Sequence, residues 1–128
     1  MKEANNIYHA IYLLERALSD KGFKPTIVGK SFVCSNSQAK FVLTFLPGNR
    51  RVLVSHGVEI LSEFRGKGLG RELLRLRESC AIKAGVNLLM ATVRNDNAPE
   101  IHLLETDGWS KVSDRRETGV ALWIKQLK

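Results

Sequence analysis

The sequence predicts one mixed α/β domain with the element order α-βββ-α-β-α-ββ, and three observations carry that expectation. The chain of 128 residues is long enough for one core and too short for two independent ones, so residues 1–128 are expected to form a single domain. Hydrophobic residues make up 44% and charged residues 26%, with only three prolines, a composition that excludes disorder or a fibrous repeat as the main state. Stretches with helical apolar spacing alternate with short apolar runs bounded by turn residues, so helices and strands are interleaved.

Each element has its own local signal. Asn5 or Asn6 can cap a first helix running to about Asp20, because Ile7, Ile11, Leu14 and Leu18 fall on one face. Gly22 and Pro25 end it. Three strands follow, Thr26–Ser35, Lys40–Leu46 and Arg51 to about Leu61, separated by Asn36-Ser37-Gln38 and Pro47-Gly48-Asn49. Turns that short imply an antiparallel meander. Leu69, Leu73, Leu76, Cys80 and Ala84 repeat at helical spacing, and Gly85 is placed to stop that second helix. Val86–Val93 reads as an apolar strand. Asn97 then caps a helix with Pro99 in its first turn and Gly108 beyond its end. Trp109–Ser113 and Gly119–Leu127 read as the last two strands. A strand, helix, strand sequence joins parallel neighbours, so the third and fourth strands are expected to be parallel in a mixed sheet. Ligands of such sheets sit beyond the C-terminal strand ends, next to the N-terminus of the connecting helix.

Apolar runs such as Phe41–Leu46 are far below the ~20 residues of a membrane helix. Glu15 and Arg16 interrupt the N-terminal pattern where a secretory leader would be apolar. The expectation is a cytoplasmic protein with no membrane association. Cys34 and Cys80 are too few for a disulfide framework and have no metal-ligand neighbours at short spacing. Both are expected to be buried, reduced thiols, with no metal site.

The net charge of +7 points to an anionic partner. The charge is concentrated locally: Arg65, Lys67, Arg71, Arg75 and Arg77 face only Glu72, beside three glycines. Glycines let backbone N–H groups approach an anion, and a helix N-terminus adds roughly half a positive charge. A di- or triphosphate group fits Arg65-Gly66-Lys67-Gly68-Leu69-Gly70-Arg71. The dinucleotide fingerprint does not, since its third glycine would fall on Arg71, and the Gly-Lys-Ser/Thr ending of a nucleotide-hydrolase loop is absent. Nucleic acid is not the expected partner, because no Tyr or Trp between Leu69 and Gly108 interleaves with the basic residues to stack bases.

Arg65-x-x-Gly68-x-Gly70, after a strand and opening a helix, resembles the acyl-CoA-binding motif of the GCN5-related N-acetyltransferases (GNAT). Val93-Arg94-Asn95-Asp96-Asn97 through Leu103-Leu104-Glu105 to Gly108-Trp109 is similar to that family's later segment. The resemblance is strongest from about Leu53 to Leu127. Over the first fifty residues only the outline matches, with a usual first strand and one of two N-terminal helices lacking.

The resemblance implies the fold and chemistry of an acetyl-CoA-dependent N-acetyltransferase that acts on a protein N-terminus, a lysine or a small amine. It implies that backbone amides of Gly66, Lys67, Gly68, Leu69, Gly70 and Arg71 cradle the coenzyme pyrophosphate, with the charges of Arg65, Lys67 and Arg71 adding long-range attraction. Backbone from Val58 to Ile60 would bond the pantetheine arm, Ile60 would polarise the acyl carbonyl, and Asn97 would add a contact besides its capping role. His56 matches the position of a histidine on the same strand of arylalkylamine N-acetyltransferases and is the candidate general base. Glu59 is its rival, facing the other side of the strand unless a bulge of the kind frequent in the family intervenes. Leu104 stands where many relatives carry the tyrosine that protonates the departing thiolate. General acid catalysis is worth about 10² to 10⁴ in rate, and alignment of two reactants roughly 7 to 11 kcal/mol, so turnover can survive that loss. A non-catalytic acyl-CoA-binding protein and a basic nucleic-acid-binding domain are the alternatives. Arg115 and Arg116 would form a short part of the acceptor wall, and a homodimer is possible.

Overall fold

The computed structural model describes residues 6–115 and 117–127. Asn5 and Arg116 therefore lie outside the described residues. Helix α1, Ile7–Asp20, starts at Asn6, whose side chain accepts a hydrogen bond from the His9 amide. Its apolar stripe buries Ala10, Leu14, Ala17 and Leu18. The expected strand Thr26–Ser35 is in fact two, β1 (Thr26–Val28) and β2 (Ser31–Ser35), because Gly29-Lys30 turns the chain into a hairpin. The sheet thereby has seven strands rather than six. Strands β3 (Ala39–Leu46) and β4 (Asn49–Ile60) continue the antiparallel meander.

A single helical turn, Ser62–Phe64, leads from β4 into the glycine loop and helix α2, Leu69–Lys83. Strand β5 (Leu88–Arg94) pairs in parallel with β4, as the crossover requires. Helix α3 (Ala98–Thr106) is capped by the Asn97 side chain, and β6 (Ser110–Arg115) and β7 (Val120–Gln126) close the chain. The sheet order is β1-β2-β3-β4-β5-β7-β6.

The core fills one face of this sheet. Phe32, Phe41, Leu43, Leu53 and Leu89 are fully or almost fully buried there with Leu14 and Leu18 of α1, Leu74 of α2 and Leu104 of α3. Most alternate residues of these strands are only half-buried or exposed, Val33 at 44% among them, and on β1 all three residues are exposed, Val28 at 64%. The helices thus cover one face and leave the other open. Cys34 and Cys80 are both free and buried. Burial pushes the Cys34 thiol up to about 12 and raises Cys80 as well, so neither offers a thiolate near neutral pH. Among the described residues no helix is long and apolar enough to cross a membrane, and no cluster of potential ligands could hold a metal ion.

Candidate active site

The site begins where the sheet splits. Strands β4 and β5 pair only over Val52–Ser55 and Leu88–Ala91. Beyond Ser55 and Ala91 they diverge, and each continues on its outer neighbour alone, β4 on β3 and β5 on β7. The inner edge of β4 past Ser55 therefore has no strand partner. Backbone groups in a sheet interior are normally paired, so this fork can take an extended ligand that bonds to main chain.

The fork opens into a cavity of about 760 Å³ lined by Val58, Glu59 and Ile60 of β4, by Phe64, Arg65, Gly66, Gly68, Gly70 and Arg71 around the glycine loop, and by residues of α3 and its cap, Asn97 and Leu103 among them. At the loop end stands the N-terminus of α2, whose cap residue is Gly68 at φ 82 with no side-chain capping bond. An uncapped N-terminus leaves the amides of its first turn free for an anion. Gly66, at φ 74, shares with Gly68 a left-handed backbone that side chains disfavour, so the tight loop depends on both. Gly70 lies close to α3 instead: a Cβ there would stand 3.0 Å from Leu103 Cδ1, so the Leu103 side chain would have to give way.

The lining includes most, but not all, of the residues expected from sequence. Val58, Glu59, Ile60, Arg65, Gly66, Gly68, Gly70, Arg71 and Asn97 come together in the cavity. Arg65 has a second task, since its Nε donates to the Ile60 carbonyl at 2.8 Å and ties the loop to the end of β4. Leu69 turns away, lining with Leu73 and Leu76 a smaller cavity of about 170 Å³ between α2 and the turn before Ala39. Lys67 is not among the lining residues of either cavity. Asn97 both lines the cavity and caps α3, accepting from the Glu100 amide at 3.3 Å.

His56 lies outside the lining and on the open face of the sheet. Its Nε2 is 3.2 Å from Thr44 Oγ1, which is 2.9 Å from Ser31 Oγ. Three strands are thereby linked by one hydrogen-bonded row. Between the pairs Val42↔His56 and Lys40↔Glu59 the register shifts, because β4 spends three residues where β3 spends two. Gly57, at φ 65, absorbs this bulge. Lys40 and Val42 share a face of β3, so their partners Glu59 and His56 share it too. The bulge therefore puts both candidate bases on one side. Glu59 pairs with Lys40 at 3.3 Å, with both side chains more than half exposed.

Leu104 is 0% exposed and belongs to the core, so no acid reaches the cavity from that position. Sequence reasoning missed the polar groups beneath the fork. Arg77 of α2 is 2% exposed, and its Nη1 donates to Ser55 Oγ at 2.6 Å. Lys125 bridges Glu78 (3.1 Å) and Asp107 (3.2 Å), while Trp109 Nε1 donates to Glu78 at 3.0 Å. This second group fastens α2, the end of α3 and β7 to one another. A signal for Arg77 was present, since it lies four residues after Leu73 and three before Cys80, inside the apolar stripe.

Comparison with known proteins fits this geometry. The model of the acetyltransferase (GNAT) family matches residues 34–109, which takes in the end of β2 and all of β3 besides the fork, the loop and α3. No curated protein matches the chain. Nourseothricin acetyltransferase superposes with a TM-score of 0.62 at 24% identity, over 77% of this chain and 65% of that one. The yncA protein of Salmonella typhimurium, solved with its cofactor acetyl-CoA, gives 0.66 at 20% identity over 88% and 69%. A protein of Klebsiella pneumoniae subsp. pneumoniae gives 0.67 at 13% identity over 99% and 94%. These likenesses establish the fold, and the chain spans 65% of the length of nourseothricin acetyltransferase.

Proposed function

The chain belongs to the acetyltransferase (GNAT) family, and from that premise we propose that it moves the acetyl group of acetyl-CoA directly onto a primary amine. The observation that carries the proposal is the uncapped N-terminus of α2 opening, with Arg65 and Arg71, into the same cavity as the unpaired edge of β4. An anion-binding helix end at one end and a main-chain slot at the other suit a molecule with a pyrophosphate and an amide-bearing arm. The residues present fit that coenzyme. First-turn amides of α2 and the two arginines hold phosphate charge, the edge of β4 from Val58 to Ile60 bonds the arm, and Ile60 supplies the amide that polarises the acyl carbonyl. Bound there, acetyl-CoA supplies an activated thioester.

The acceptor must arrive neutral. For a lysine with a pKa about 10.4 deprotonation at pH 7 costs about 4 to 5 kcal/mol, and for a protein N-terminus near 8 far less. His56 takes that proton, directly or through water, with its ring held by Thr44. Glu59, on the same face and already in the cavity lining, is the second candidate. Protein N-termini, lysines and small amines are all within this acceptor class. The open face beside His56 leaves room for a bulky one.

Calorimetric titration with acetyl-CoA, against dephospho-CoA and ATP as anion controls, tests the coenzyme; selective micromolar binding is expected. Absence of binding to folded protein would overturn the proposal. Thiol release in the presence of primary amines tests the transfer. Binding without release under any amine would favour a second reading, a coenzyme-binding protein without chemistry, for which the burial of Leu104 at the tyrosine position is the specific observation.

A further inference from the structure

The smaller cavity, of about 170 Å³, lies against the same helical turn that borders the coenzyme cavity. Gly68, Gly70 and Arg71 line the larger space, whereas Leu69, Glu72 and Leu73, which share a face of α2 at helical spacing, line the smaller one. A second wall is just as near the site, since Ala39 pairs with Ile60 and the Gln38 carbonyl accepts from the Leu61 amide at 2.9 Å. Lys21, the C-cap of α1, completes the rim. The cavity is thus walled by the end of α1, the turn before β3 and the start of α2, and the acetyl transfer makes no use of it.

Its lining divides by chemistry. Phe23, Ala39 and Leu73, each at most 4% exposed, give it an apolar floor. Lys21 and Glu72 bring opposite charges to the same space, yet among the described residues no ion pair joins them to each other or to any other group. The half-buried side-chain amide of Gln38 is also without a hydrogen-bond partner there. Asn36 is differently engaged: its Oδ1 accepts from the Gln38 and Ala39 amides at 2.8 and 3.0 Å, which fixes the turn that carries Gln38. A lone anion in this space would meet Glu72 and a lone cation would meet Lys21, so like charge disfavours each. A zwitterion satisfies both. At about 30 Å³ for each water of the liquid, the cavity has room for a molecule of only roughly five to ten non-hydrogen atoms.

We propose that this second cavity binds a free α-amino acid with a small apolar side chain. Its carboxylate faces Lys21 and the Gln38 amide, its ammonium group faces Glu72, and its side chain rests on Phe23 and Leu73. Charge-assisted hydrogen bonds at the two ends fix its orientation. The apolar floor rejects a charged or strongly polar side chain, which would lose its hydration there without a partner. An occupant ties the end of α1, the turn before β3 and the first turn of α2 together behind the glycine loop. The proposal stands apart from the acetyl-transfer reading, because none of the residues assigned to it lines the coenzyme cavity.

Magnetic-resonance titration of the isotope-labelled, coenzyme-free protein with L-valine and L-leucine tests this. Saturable shifts are expected at the amides of Lys21, Gln38, Leu69 and Glu72, with a Kd of about 0.1 to 1 mM for the better of the two. Isocaproate and isoamylamine, which keep the leucine chain and one charge each, should bind about tenfold or more weakly. Lys21→Met and Glu72→Gln change exposed side chains, and each should weaken the better amino acid about tenfold. Arg71→Gln, in the coenzyme cavity, should leave its affinity unchanged. Failure of both amino acids to saturate the folded protein would overturn the proposal. So would isocaproate or isoamylamine binding as tightly as L-leucine, or an affinity that survives in both Lys21→Met and Glu72→Gln. Shifts confined to Glu59, Ile60 and Glu100 would overturn it too, by placing the amino acid in the coenzyme cavity as an acceptor.

Discussion

The two faces of the sheet are built from the same strands by opposite rules. On the covered face Phe32, Phe41, Leu43, Leu53 and Leu89 are sealed under three helices. On the open face the alternate residues include Val28, Val33 and the row Ser31–Thr44–His56, linked by hydroxyl and imidazole hydrogen bonds. One face holds the fold together, and the other, freed from that duty, can carry polar groups at little cost. The fork between β4 and β5 is where the two meet, and the proposed coenzyme slot lies along it.

The contrast can be broken most sharply by truncation. Phe41→Ala should cost about 3 to 5 kcal/mol in denaturant unfolding, as a fully buried ring with another ring, Phe23, 5.0 Å away. Val33→Ala on the open face should fall within about 0.5 kcal/mol. Equal losses would mean that the open face is covered in solution. At the fork, Gly68→Asp forces a side chain onto a left-handed backbone and an anion into an anion site. Acetyl-CoA affinity should fall about 100-fold or more by calorimetry, and the unfolding midpoint should drop by only a few degrees for the left-handed backbone.

The Lys125 group tests the covered side more gently. Burial works against the charged form of Lys125, yet Glu78 and Asp107 together raise its pKa above 10.5. Its contribution is therefore complete below that value and lost as pH rises through the raised one. Burial also opposes the Asp107 carboxylate, but bonds with Glu78 and Lys125 leave it below 3.8, so its contribution is lost as pH falls through that lowered value. Glu78, raised chiefly by burial, works the other way and costs stability once pH passes 4.5. Lys125→Met should destabilise by roughly 2 kcal/mol at neutral pH by leaving two carboxylates without their cation. It should also flatten the alkaline fall in unfolding midpoint expected of the unaltered protein above 10.5. The smallest effect belongs to the open face: Thr44→Val, which removes the hydroxyl beside the His56 ring, should lower turnover only a few-fold, while His56→Ala should change the shape of the pH–rate profile. An unchanged profile in His56→Ala would transfer the base role to Glu59 or to water.

What the sequence disclosed follows from the range of each signal. Helix α2, the glycine loop and the Asn97 cap rest on residues within a turn or two of one another, and all three are where periodicity and capping rules place them. The Gly29-Lys30 hairpin was hidden because a lone glycine inside an apolar run also reads as a pause within one strand. The Ser55–Arg77 bond joins residues 22 apart and Lys125–Glu78 residues 47 apart, and no local pattern reports which distant polar groups a fold will bring together. For the same reason the shared face of His56 and Glu59 depends on a bulge whose presence sequence spacing could allow but not fix.

Strand β1 gives the open sheet one further property. A bare sheet ending in a long apolar strand would recruit other chains edge to edge, yet β1 is only three residues long, and β6 at the opposite margin carries Lys111 and Asp114. Short length at one margin and charge at the other are the usual guards against sheet extension. The molecule can leave a face uncovered for function because its two edges resist aggregation.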